Sequence, residues 1–108
     1  MSVVTNLMLC CCTNGYDNTT AIQDVNQYFV SRNIKGLVSV ISQELPTHWY
    51  GGNKNLEARI YLGVFNHLNL EEFLNHVRNV VWDDPDCVQL IVKRQSDFRF
   101  EIINVFEL

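Results

Sequence analysis

Apolar residues recur along this chain with two spacings, every second residue and every third or fourth. These spacings predict the order strand, helix, strand, strand, helix, strand, strand. Val3 to Cys12 reads as the first strand. Leu7, Leu9 and Cys11 lie on one side and Met8, Cys10 and Cys12 on the other, the pattern of a strand in the middle of a sheet. The turn-rich stretch from Thr13 to Asn18 leads into a helix, with Thr20 and Gln23 as a capping box. Its apolar stripe is Ile22, Val25 and Phe29 with Tyr28 beside it. It runs to about Ile34 and is expected to end at Gly36.

Leu37 to Leu45 forms the second predicted strand, which Pro46 stops. A ten-residue loop follows, Pro46 to Asn55, carrying Trp49, Tyr50 and Gly51-Gly52. Leu56 to Asn66 alternates strictly, with Ala58, Ile60, Leu62 and Val64 set against Glu57, Arg59, Tyr61, Gly63 and Phe65. The second helix has the clearest start signal. Asn69 caps it, Glu72 completes the box, and Leu68 with Phe73 forms a hydrophobic staple. It is predicted to continue to Trp82, where Asp83-Asp84-Pro85-Asp86 breaks it. Cys87 to Lys93 and Phe98 to Phe106 are read as strands joined in a hairpin by Gln95-Ser96-Asp97.

Two βαβ halves of this length interleave as an antiparallel sheet with both helices on one face. Right-handed crossovers then put the first strand between the third and fourth, in the order 5-4-1-3-2. The expected fold is therefore α+β: a ferredoxin-like βαββαβ sandwich with an added C-terminal edge strand, in a single domain spanning 1–108. This topology gathers the loops 13–19, 46–55 and 83–86 at one end. Tyr16, Asp17, His48, Trp49, Tyr50, Asp83, Asp84 and Asp86 converge there. The opposite end carries short connections only.

Composition narrows the function. Net charge is −4 and only Lys93-Arg94 forms a basic pair, which argues against nucleic acid as a ligand. The longest apolar run, Leu7 to Cys12, is far short of a membrane span, and the start of the chain lacks a signal-peptide pattern. A cytoplasmic protein is expected. Cys10, Cys11 and Cys12 are contiguous, which reads as reduced, partly buried thiols and not as a disulfide framework. His48, His67 and His76 stand isolated, and neither a metal-ligand spacing nor a catalytic or dinucleotide motif is present. No cofactor and no metal are expected.

Two surfaces remain. At the loop end, Trp49 and Tyr50 are suited to bury apolar area, while Asp17, Asp83, Asp84 and Asp86 would pair with Lys or Arg. The helix-free sheet face is the second, because strands three, four and five are apolar on both sides where water contact calls for polar residues. Met8, Cys10, Tyr61 and Phe65 are expected on it. The leading expectation is a non-enzymatic protein-binding module, of inhibitor, immunity or regulatory type, that meets a basic protein through the loop end. The alternative is a homodimer that binds a small ligand or performs catalysis in a pocket on the helix-free face.

Overall fold

A computed structural model describes residues 3–12, 19–39 and 58–106. In chain order the elements are β1 (Val4–Cys12), α1 (Thr19–Val30), β2 (Val38–Ser39), β3 (Ala58–Asn66), α2 (Leu70–Arg78), β4 (Gln89–Arg94) and β5 (Glu101–Asn104). A single 3-10 turn, Pro85–Cys87, precedes β4. The sheet order is β2-β3-β1-β4-β5, with every neighbouring pair antiparallel. The fold is α+β, and its strand order is compatible with the ferredoxin-like arrangement plus an edge strand. Of the second predicted strand, residues 40–45 lie outside the described residues, as does the loop 46–55.

Register fixes which side of each strand meets the helices. Leu7 stands opposite Gly63 and Val92, and Leu9 opposite Tyr61 and Leu90. Leu7, Leu9, Cys11, Leu90 and Val92 are buried together with Val25 and Phe29 of α1 and Phe73 and Val77 of α2. Both helices therefore cover the same face. At the centre Phe29 stacks on Phe65, rings parallel within 6° and 4.2 Å apart, while Phe73 lies 5.1 Å from Phe29.

That stack corrects one sequence expectation. Tyr61 and Phe65 face the helices, whereas Ile60, Leu62 and Val64 face away. Alternation alone leaves the choice of face open, and aromatic packing makes it. Phe65 folds back over Gly63, where an added Cβ would lie 2.4 Å from its ring. The missing side chain at Gly63 thus creates the space that Phe65 fills.

The helix ends differ from expectation for local reasons. Thr20 lies inside α1 and is not its cap. The helix closes at Asn33, not at Gly36. Asn33 takes a left-handed conformation (φ 56°), its N–H reaches Val30 O, and the N–H of Ile34 reaches Phe29 O. Gly36 serves another purpose, since a Cβ there would meet Asn26 Oδ1 at 2.5 Å. The Asn26 amide clamps Leu37, accepting from its N–H (2.9 Å) and donating to its carbonyl (3.1 Å).

Helix α2 starts as predicted, with Asn69 Oδ1 accepting from Glu72 N at 3.1 Å. It ends at Arg78, short of Trp82, because side chains take its last carbonyls. Asn79 Nδ2 donates to Asn75 O (2.8 Å) and Trp82 Nε1 to Val77 O (3.1 Å). Chain that would have continued the helix instead folds Trp82 into the core.

The face assignment makes a stability prediction. Phe65→Ala should cost about 3–5 kcal/mol, as a buried aromatic does, and Gly63→Ala about 1–3 kcal/mol from overpacking against a ring that cannot retreat. Leu62→Ala, on the open side, should cost under about 1.5 kcal/mol. Urea unfolding of the three variants checks the ranking, and equal losses at 62 and 65 would refute the assignment.

Candidate functional site

The residues named at the loop end divide between described and undescribed positions. Tyr16, Asp17, His48, Trp49 and Tyr50 lie outside the described residues. Asp83, Asp84 and Asp86 follow α2, with Asp83 and Asp86 exposed and Asp84 half-buried. Among the described residues none of the three carboxylates is in an ion pair. Val81 beside them is 85% exposed. Cys12, Ser39 and Ala58, which border residues 13–18 and 40–57, lie toward the same end of the sheet as the turn Pro85–Cys87.

On the helix-free side, register builds a feature that no single strand reveals. Val38 stands opposite Leu62, Leu62 opposite Met8, Met8 opposite Ile91, and Ile91 opposite Ile102. Directly opposed residues of an antiparallel sheet project to the same side. One apolar row therefore crosses all five strands. Ile102 is 63% exposed, and Val38 and Leu62 are also exposed, while Met8 and Ile91 are half-buried between their neighbours. A second row, Ile60, Cys10, Gln89 and Asn104, lies toward the loop end, where Gln89 Nε2 donates to Asn104 Oδ1 at 2.8 Å. Val64, Asn6 and Lys93 form a third, with Phe100 exposed beyond it.

Met8 and Cys10 thus lie on the open face, apart from Tyr61 and Phe65, so the four do not line one pocket. The residues missed from the sequence are Val38, Leu62, Ile91 and Ile102. Their signal was present in the alternation of strands three to five, but it needed the register to join them.

A cleft of about 170 Å³ opens at the other end of the molecule, lined by Tyr28, Phe29, Arg32, Phe65, His67 and Glu72 among others. Its polar edge is internally satisfied. Tyr28 Oη donates to Glu72 Oε1 at 2.9 Å, Arg32 Nη2 pairs with the same oxygen, and the Arg32 guanidinium lies 3.7 Å above the Tyr28 ring. Glu72 is thereby drawn away from the capping box. The cluster ties the end of α1 to the start of α2. His76 adds a second tie, with Nε2 2.7 Å from Asp24 O.

Cys10 and Cys11 carry free thiols. Burial pushes both up from the ordinary thiol value, Cys11 to about 11, with neighbouring Cys10 raising it further and Arg59 opposing. At neutral pH both stay protonated, the wrong state for a nucleophile. Cys87 is disulfide-bonded, which corrects the reading of the cysteines as uniformly reduced, and its partner sulfur lies outside the described side chains. The sequence spacing hid this because sulfur pairing depends on tertiary placement, and Cys87 lies in the turn Pro85–Cys87. Among the described residues no helix is long and apolar enough to cross a membrane, and no cluster of ligating side chains could hold a metal.

The thiol environment predicts alkaline sensitivity. From pH 9.0, the ordinary thiol value, the unfolded chain ionises first, so the stability due to Cys11 is intact below that pH and lost as pH rises through about 11. The raised Tyr28 hydroxyl, buried and hydrogen-bonded to Glu72, acts with the same sign. Thermal unfolding across this range should show a falling Tm, and Cys11→Val should flatten the slope. In peptide mapping of folded protein at neutral pH, Cys10 should alkylate faster than Cys11. Cys87 should alkylate only after reduction.

No protein-family model, no curated protein and no solved structure matches this chain.

Proposed function

We propose that this chain is a protein-binding module, without catalysis of its own, whose binding surface is the helix-free face of its sheet. The row Val38, Leu62, Met8, Ile91 and Ile102 carries this reading. A sheet covered by helices on one side is ordinarily polar on the other, yet here five strands in succession offer an aliphatic or thioether side chain to water. Covering roughly 400 Å² of such surface returns about 10 kcal/mol before the cost of association is subtracted. The margin suits reversible binding. A flat platform of this kind matches a protein surface better than a small molecule, which requires enclosure.

The loop end supports a second contact. Three carboxylates within four residues, unpaired among the described residues, stand next to exposed Val81. Such a patch attracts a basic protein and steers its approach. Trp49 and Tyr50 are the proposed apolar anchors of that contact, and Tyr16, Asp17 and His48 are its further proposed members.

Photocrosslinking in living cells tests the first reading. A benzoylphenylalanine at position 62 or 102 should form a protein adduct, and one at Glu71 on the helical side should not. Absence of adducts at both 62 and 102 would overturn it. For the second contact, the photoreactive residue at position 86 should capture a basic protein, and Trp49→Ala should weaken that capture by about 2 kcal/mol or more. Asp83→Asn with Asp84→Asn should slow capture at low salt and change it little at high salt.

A further inference from the structure

We infer that the occupant of the open sheet face is a second copy of this chain, packed face to face about a two-fold axis through Met8. The inference rests on the sheet-face reading above and names its partner. Charge distribution argues for it. Within the three rows of the face, Lys93 is the one charged residue. The described carboxylates lie elsewhere: Asp24, Glu71 and Glu72 on the helices, Asp83, Asp84 and Asp86 at the loop end, and Asp97 and Glu101 around Arg94. A face whose described residues include no acid offers a basic partner nothing to pair with, and one lysine cannot hold a polyanion. A second face of the same apolar, acid-poor make-up fits it. Although each copy carries a net charge of −4, this packing turns both helical sides outward and keeps their carboxylates apart.

Pattern and area agree. A two-fold axis in the plane of contact along β1 sets Leu62 of one copy over Ile91 of the other and Val38 over Ile102, with Met8 meeting Met8. The row is thus complementary to itself, as an isologous interface requires. Strands about 4.8 Å apart and rows about 7 Å apart give five strands and three rows a footprint of roughly 24 by 20 Å. Each copy would contribute on the order of 500 Å² before side-chain relief, so with that relief the pair reaches the roughly 1,000 Å² expected of a specific interface. Asn6, Gln89, Asn104 and Lys93 supply the polar surroundings of the apolar centre. Two sheets stacked about 10 Å apart bury such rows without rearranging either one.

Sedimentation equilibrium on the full chain, from about 1 to about 100 µM, tests the dimer. The wild type should sediment as a dimer at the upper end. Ile102→Glu and Leu62→Glu should each raise the dissociation constant at least about 100-fold with an unchanged far-ultraviolet circular dichroism spectrum. Val30→Glu, exposed on α1 and off the face, should remain dimeric. A dimer that survives both face variants, or a wild type monomeric throughout, overturns the inference. In the monomeric case the apolar dye ANS separates the two levels. Dye bound by the folded wild type and lost in Ile102→Glu overturns the dimer alone, leaving the face to a different protein. No dye bound would take down the sheet-face reading as well.

Discussion

The structure depends on the central position of β1 and on the parity this imposes. A strand paired on both edges transmits its alternation to each neighbour, because opposed residues share a side. Leu7, Leu9 and Cys11 turn toward the helices, and Gly63, Tyr61, Val92 and Leu90 are carried with them. Met8 turns away, taking Leu62, Ile91, Val38 and Ile102 along. A slip of one residue would reverse every assignment. The Phe29–Phe65 stack over Gly63 holds the register, since only this parity gives Phe65 a ring to stack on and a gap to fill.

Polar contacts reinforce this frame at its ends. The Asn26 clamp on Leu37 fixes the entry into β2, and the Tyr28–Glu72–Arg32 cluster fastens the two helices. Arg78 Nε, donating to Val105 O at 3.0 Å, joins α2 to the chain beyond β5. The last two join elements far apart in sequence. The open sheet face has no comparable covering among the described residues, and that imbalance makes it the proposed site of association. The thiol of Cys11 is buried among the core residues and that of Cys10 is half-buried on the open face, and burial raises both.

Element order was largely legible because local rules govern it. Asn69 before an apolar stripe starts a helix wherever it occurs, and Ala58 to Asn66 alternates too regularly to be anything but a strand. Strand order followed from crossover handedness. Helix ends were less legible. Gly36 looked like a stop signal, yet Asn33 closes α1 and Gly36 accommodates Asn26. Trp82 looked like the last apolar position of α2, but its indole caps Val77 from outside the helix.

By itself, the sequence determined the α+β class, the five strands and two helices, and the excess of apolar residues over what one core can bury. Those properties are written in spacing and composition, which are local. Only the tertiary structure decided which apolar residues are the surplus. Tyr61 and Phe65 seemed the outward pair and are inward, while Ile60, Leu62 and Val64 seemed inward and are outward. A period of two names two faces but cannot say which is covered. That choice comes from the fit of Phe65 between Gly63 and Phe29, a contact between residues that sequence separation keeps apart and packing alone brings together.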